Sequence, residues 1–363
     1  MRNFHLKYSG DFLNEQGEVA SGYLGSQPLD GADFIDYDFL TDQAPTPGDT
    51  SYSDRLYNLQ IESRHIADAD GLVLIRPYIR ASAFADGADR LVVIGRAGVG
   101  TDKIDLDACT QHDVAVFNAP GTLIHSTASA TMLFILALAK KLPAQERMAR
   151  SGCWNDQSAV TGDDLTGKTL GVVGLGRIST ELIRLLKPFE MRVILYSRHA
   201  EPEQAKALGV TLTRDLNELL RESDFVTLLC QLNDRTRGMI GERELGLMKP
   251  TAYLVNTGRG ELVHQDALVN ALQEKRIAGA GLDVFQHEPL AADDPLAHLD
   301  NVILTPHWLP TTHKVVQDVM DTMSRGILHA ACGIVPENIV NTAVLDRPGF
   351  QAKLARFAMN RMD

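Results

Sequence analysis

Short, almost wholly apolar runs recur along the chain at Leu72–Ile75, Leu91–Ile94, Val114–Phe117, Leu170–Val173, Arg192–Tyr196, Phe225–Leu229, Ala252–Val255, Ala278–Leu282 and Val302–Leu304. They do not alternate apolar with polar positions, so they predict strands buried on both faces, as in parallel sheets. Between them lie amphipathic stretches with helical spacing, among them Arg177–Leu186, Asp215–Arg221 and Gln265–Glu274. Asp215, with Glu218 three positions on, reads as a variant capping box opening the second of these. Strand and helix in strict alternation predict an α/β protein with doubly wound parallel sheets.

Some segments break that rhythm. Ser126–Lys141, STASATMLFILALAKK, is a long helix too apolar all round for a simple surface position, and it reads as lying between two bodies, domains or subunits. Gly152–Thr166 is polar and loop-like. Asp30–Ser53 is acidic and aromatic with Pro45 and Pro47, and reads as a surface excursion. Arg347–Asp363 is a basic tail with the makings of a short helix.

Composition narrows the picture. The 363 residues suggest about two domains. With 44% apolar and 23% charged residues the chain has a globular mix, which excludes disorder, collagen and coiled coil. The 35 basic residues against 47 acidic ones leave a formal net charge of −12, which argues against nucleic acid or an anionic membrane as partner. The longest strongly apolar run, Met132–Ala139, is too short to span a bilayer. MRNFHLKYSGDF has no apolar leader core. Cys109, Cys153, Cys230 and Cys332 lack metal or disulfide spacing and read as reduced thiols, so the expectation is a cytoplasmic protein without a metal site.

Candidate chemistry starts at Leu170–Ser179, where a strand runs into GLGRIS and a helix. This is the dinucleotide fingerprint with Ser179 in the third glycine's place. Gly174 permits the tight turn. Gly176 lets a pyrophosphate approach the backbone around Leu175, Arg177 and Ile178 at the helix start, where the dipole favours an anion. NAD readers usually carry a carboxylate at the tip of the next strand. Here Tyr196 is followed by Ser197 and Arg198, which suit a 2′-phosphate, so NADP(H) is favoured over NAD(H). A second turn, Arg96–Asp102, lacks the third small position and reads as a backbone grip for a small carboxylate.

Three further segments end predicted strands: NTGRGE around Arg259, GLDVFQHEP around Glu288, and LTPH at His307. Strand carboxyl ends are where open α/β sheets place ligands. Together these side chains suit reduction of a keto acid. Arginine offers forked donors to a carboxylate and a carbonyl oxygen, histidine donates a proton, and a carboxylate orients the imidazole.

The ordered stretches VIGRAGVGTDKID, VFNAPGT, GKTLGVVGLGRI, NTGRGELV, GAGLDVFQHEPL, ILTPH and ENIVNTAVL, running from about Leu72 to Leu345, resemble the D-isomer-specific 2-hydroxyacid dehydrogenases, which include glyoxylate/hydroxypyruvate reductases and phosphoglycerate dehydrogenases. The resemblance implies a Rossmann cofactor domain at 121–312, inserted in a flavodoxin-like substrate domain of 1–120 and 313–363. It implies Arg259, Glu288 and His307 as the catalytic set, acting on a small 2-keto or 2-hydroxy acid. Arg76, Val99, Gly100, Arg259 and Trp308 would meet the substrate. Thr257, Asp283 and His307 would lie beside the cofactor. A homodimer through the cofactor domain, the Ser126–Lys141 helix included, is also implied.

The sequence departs from the family pattern in three places. Thr127-Ala128-Ser129 stands where Val-Ala-Glu is common, Trp308-Leu309-Pro310 where two glycines often follow the histidine, and Leu229-Cys230-Gln231 where His-x-Pro is usual. Rival readings are a dinucleotide-sensing, corepressor-like regulator on the same fold, a formate dehydrogenase branch, whose histidine pairs with Gln where this chain has Glu288, and a hydrolase that borrows a dinucleotide.

Overall fold

The computed structural model describes residues 2–20, 29 and 32–360. Each apolar run overlaps a strand, and all the strands pair in parallel in two sheets. The described residues divide into two compact units. One is the chain up to Leu123 together with the chain from Thr311 onward; the other is Ile124–Pro310.

The first unit holds β1 (Phe4–Tyr8), β2 (Ile35–Phe39), β3 (Gly71–Leu74), β4 (Val93–Arg96) and β5 (Ala115–Asn118) in the order 2-1-3-4-5, the flavodoxin-like doubly wound order. Both faces are buried, which is why β3 reads as continuously apolar. Val73 faces one core with Phe4, Leu6, Phe117 and Met323, while Leu72 and Leu74 face another with Ile94, Cys109 and Val116. The long helix His313–Ala331 lays Val319, Met323 and Ile327 on the first of these cores. The basic tail does form a helix, Pro348–Ala355, and it is docked rather than loose. Phe350, Leu354 and Phe357 are buried, and Lys353 donates to the carbonyls of Ala88 (2.6 Å), Leu91 (3.0 Å) and His112 (2.7 Å). Burial pushes that ammonium down to about 8.

The expected surface excursion at Asp30–Ser53 is corrected in part. Its residues 30 and 31 lie outside the described residues, but Ile35–Phe39 is a strand paired to β1 at the sheet edge. Its Asp36, Tyr37 and Asp38 are exposed, so it carries the polar signature of an edge.

The second unit holds β6 (Thr169–Val173), β7 (Arg192–Tyr196), β8 (Thr211–Thr213), β9 (Phe225–Leu228), β10 (Tyr253–Asn256), β11 (Gly279–Leu282) and β12 (Val302–Leu304), in the order 12-11-10-9-6-7-8. Its order reverses between β6 and β9, the switch point where such sheets bind ligands. The apolar helix runs over Ile124–Ala139 and buries Phe134, Ile135 and Leu138 with Leu170, Val172 and Val255. Gly281 admits the Phe134 ring so closely that a Cβ there would lie 2.9 Å from it. The helix stops at Lys141, whose φ of 50° is left-handed, and a second helix, Leu142–Ser151, follows. The stretch expected as a polar loop contains 3-10 turns over Trp154–Val160 and is mostly exposed, with Leu165 buried near its end. The capping box is not formed. Asp215 caps Leu216–Glu222 by accepting from the Asn217 N–H, but Glu218 accepts from the Thr213 hydroxyl instead of reaching back.

Among the described residues no single helix is long and apolar enough to cross a membrane. No cluster of His, Cys, Asp or Glu among them has the makings of a metal site.

Candidate active site

The glycine turn sits at the carboxyl end of β6. Gly174 has φ of 101°, and a Cβ there would lie 2.7 Å from the Cys230 backbone at the end of β9. Only glycine satisfies both constraints. Gly176 differs: its φ is −149° and a Cβ would meet no atom within 4 Å. This open cradle, at the start of the helix Arg177–Leu186, is where an anion can approach the N–H groups of the first turn. Ser179 is fully buried and knits the turn, donating to the Gly174 carbonyl (2.7 Å) and accepting from the Gly176 N–H (3.2 Å). Serine at the third position therefore fits, and it ties down a turn that glycine would leave freer.

A cavity of about 750 Å³ opens beside this turn, lined by Leu175, Gly176, Arg177, Ser197 and His199 among others. Ile178 is half-buried behind it. Arg198 is exposed and donates from Nε to the Tyr196 hydroxyl (3.3 Å). Ser197 Oγ accepts from the N–H groups of His199 (3.4 Å) and Ala200 (3.2 Å). Glu181, also on the cavity wall, is held down to about 2 by hydrogen bonds from Arg184 and His125.

Three loops at the ends of β10, β11 and β12 carry Arg259, Glu288 and His307. The first is organised by Asn256, which is buried. Its side chain accepts from the Gly258 N–H (3.0 Å) and donates to the Arg259 carbonyl (2.9 Å). Gly260 presses on the second loop; a Cβ there would lie 1.9 Å from the Phe285 carbonyl carbon. Arg259 donates through Nη1 to the Gly258 carbonyl (2.8 Å). Thr257 is buried, its hydroxyl 2.7 Å from that of Thr131 on the apolar helix.

His307 Nδ1 lies 3.0 and 2.8 Å from the two carboxylate oxygens of Glu288. Glu288 Oε1 also accepts from the Phe285 N–H (3.2 Å). The imidazole side chain is 38% exposed and the carboxylate 17%, so the acceptor is sheltered and the ring reachable. With Nδ1–H donated to Glu288, Nε2 is the ring nitrogen left for a substrate.

His307 sits in the left-handed region at φ 52°, unusual for a residue with a Cβ. Asp283 stabilises the loop that imposes it. Its Oδ1 accepts from the Thr305 hydroxyl (2.6 Å) and from the N–H groups of Trp308 and Leu309 (3.1 Å each). Burial pushes the Asp283 carboxyl up, against the pull of these donors and of His307. Asn256, Thr305 and Asp283 thus shape the site from behind. The spacing alone gives the first two no role, although NTGRG and LTPH contain them.

In the first unit, Arg76 follows β3. Its N–H donates to the buried Asp11 carboxylate (2.9 Å), and its guanidinium stacks on Tyr57. Val99 is exposed and Gly100 half-buried in the turn after β4, where Asn118 donates to the Val99 carbonyl (2.6 Å). Trp308, in the second unit, is 38% exposed. His287 is exposed beside Glu288.

Comparison with known proteins gives a consistent result. The sequence model of the D-isomer specific 2-hydroxyacid dehydrogenase NAD binding domain matches residues 132–308. The chain is 39% identical over 292 residues to a glyoxylate reductase of Korarchaeum cryptofilum, covering 79% of this chain and 87% of that one. It is 41% identical over 276 residues to a D-3-phosphoglycerate dehydrogenase of Methanocaldococcus jannaschii, covering 76% of this chain but 52% of the longer relative. The D-lactate dehydrogenase of Aquifex aeolicus, solved with NAD and lactic acid, superposes with a TM-score of 0.77 at 26% identity, over 93% of this chain and 99% of that one.

Proposed function

The chain belongs to the D-isomer specific 2-hydroxyacid dehydrogenase family, and from that premise we propose that it reduces a small 2-keto acid to the D-2-hydroxy acid, with NADP(H) favoured over NAD(H). The observation that carries this reading is the Glu288–His307 pair, 2.8 Å apart at the carboxyl end of the cofactor-type sheet. The bound dinucleotide supplies the hydride.

The remaining roles fall to the chain's own side chains. His307, doubly protonated, donates from Nε2 to the oxygen of the carbonyl being reduced, and takes that proton back in the oxidising direction. Glu288 holds Nδ1–H and so fixes both the ring's orientation and its tautomer. Arg259 polarises the carbonyl and binds the carboxylate. Asn256 is a positioning residue, acting through the loop it organises, and Asp283 likewise holds its loop besides lying at the nicotinamide end. Under the same proposal Arg76, the Val99 and Gly100 backbone and Trp308 also meet the substrate. Leu175, Gly176, Arg177 and Ile178 take the pyrophosphate, Ser197 and Arg198 the ribose end, and Thr257 and Asp283 the nicotinamide end. A homodimer through the second unit fits the helix Ile124–Ala139, whose Leu133 is 49% exposed on an otherwise apolar stretch.

The test is steady-state turnover with glyoxylate, hydroxypyruvate, pyruvate and bulkier 2-keto acids, each with NADPH and NADH. His307→Ala lowers kcat by about 10²-fold or more while dinucleotide binding persists. Near-normal turnover by that variant refutes the assignment, and no turnover by the wild type with any acid returns the regulator reading. An NADH preference above about tenfold, roughly 1.4 kcal/mol, refutes the cofactor preference alone.

A further inference from the structure

The loop after β7 is held by a residue from outside the dinucleotide fingerprint. Arg214 follows β8 and projects back to Ser197–Ala200, donating from Nη1 to the Ser197 carbonyl and from Nη2 to the Ala200 carbonyl (2.5 Å). The Ser197 hydroxyl already accepts from two N–H groups within the same loop. The flanking residues of Arg214 are engaged elsewhere: Thr213 with Glu218, Asp215 with the Asn217 N–H. No carboxylate pairs with the Arg214 guanidinium among the described residues, so its charge stays with the loop.

Two consequences follow from hydrogen-bond chemistry. A ribose diol is read through acceptors, which is why a carboxylate stands at this strand tip in NAD sites. Here three acceptors of the loop are engaged: the Ser197 and Ala200 carbonyls by Arg214, and Ser197 Oγ by the loop's own N–H groups. The edge itself carries the guanidinium groups of Arg198 and Arg214 beside His199, with Arg177 and Ser197 on the adjoining cavity wall. Such an edge favours a phosphate, since guanidinium groups bind phosphate oxygens by charge-assisted bonds.

We propose that Arg214 is a specificity-determining positioning residue: by capping the Ser197 and Ala200 carbonyls it turns the loop after β7 from an acceptor of the ribose 2′-hydroxyl into a site for the 2′-phosphate of NADP(H). The proposal rests on the dehydrogenase reading and deepens it. Nothing in the glycine fingerprint points to this position, because Arg214 comes beside the loop only through the parallel pairing of β8 with β7, which sets Thr213 opposite Tyr196.

The experiment is equilibrium titration of the full chain with NADPH and with NADH, followed by nicotinamide fluorescence without substrate, for wild type, R214M and R214K. Thermal unfolding of each variant is recorded alongside. The wild type is expected to favour NADPH. R214M is expected to weaken NADPH binding by about tenfold or more with NADH binding nearly unchanged. R214K keeps a charge but lacks the fork that bridges two carbonyls, and falls between them. Equal loss of both cofactors, or loss of neither, overturns the proposal while leaving the dehydrogenase reading intact. A wild type that favours NADH overturns the proposal and the cofactor preference together. A wild type that binds neither dinucleotide overturns the parent reading. Should R214M fail to fold, the NADPH-to-NADH ratio of R214K alone decides, an unchanged ratio counting against.

Discussion

Two glycines of one turn do different work, and substitution separates them. At Gly174 a methyl group meets the Cys230 backbone and the φ of 101° is unfavourable for any other residue. Gly174→Ala is therefore expected to destabilise the fold by about 2 kcal/mol or more, through strain and overpacking. At Gly176 the backbone is extended and the added methyl meets empty space, so Gly176→Ala should leave stability within about 1 kcal/mol of wild type. It should nonetheless weaken dinucleotide binding, because the methyl occupies the cradle an anion approaches. Denaturant unfolding and fluorescence titration measure the two effects; undiminished dinucleotide affinity in Gly176→Ala places the pyrophosphate elsewhere. The spacing GLGRIS makes this turn legible without coordinates, and LTPH makes His307 a candidate. What spacing cannot reveal is the support behind them. Asp283 organises three donors on a loop more than twenty positions away, and Arg214 reaches across from another strand. Both contacts exist only once the sheet is assembled.

Element by element, most of the legible strands are buried on both faces, because burial on two sides writes an unbroken apolar run, while β7 and the edge strand β12 stay legible through their apolar residues although partly exposed. β1 interleaves Phe4, Leu6 and Tyr8 with His5 and Lys7, whose polar ends find Asp36 and Asp68. β2 and β8 are sheet edges with exposed positions, so they carry too little apolar signal to stand out. The helix Ile124–Ala139 is legible as an element, but its ties to its neighbour are not. Glu181 of the helix Arg177–Leu186 accepts from Arg184 in its own helix and pairs with His125 of the apolar helix. These bonds depress its carboxyl to about 2. A carboxyl depressed on folding contributes stability that is present above its unfolded pKa, about 4.3, and lost as pH falls through its folded value. Wild-type protein should thus lose stability between about pH 4.5 and pH 2 more steeply than Glu181→Gln, followed by denaturant midpoints across that range. Parallel acid limbs in the two proteins would show that the pair contributes nothing.

At the scale of the molecule, a net charge of −12 says little about where cations gather, since Arg177, Arg198, Arg214 and Arg259 all lie just beyond the carboxyl ends of strands of one sheet. Chain order likewise hides the architecture. The first unit draws on both ends of the chain, and the last helix completes it: Phe350, Leu354 and Phe357 enter the core with Phe4 and Phe117, and Lys353 satisfies three carbonyls from distant loops. A tail that reads in sequence only as basic, with the makings of a short helix, is thus a structural part of a core begun some 340 residues earlier. Removing everything after Asp346 should strip that core of Phe350, Leu354 and Phe357 and strand the carbonyls of Ala88, Leu91 and His112, each unpaired acceptor costing about 1–3 kcal/mol. The second unit, Ile124–Pro310, contains no tail residue and has its own cores. Scanning calorimetry of the truncated chain is expected to show the first unit's transition lost or strongly lowered, and a remaining transition that NADPH still raises, because a ligand stabilises only the unit whose folded state binds it. If both transitions survive unchanged, the tail is not part of the core. If truncation abolishes the NADPH-dependent shift as well, the second unit does not hold its fold alone.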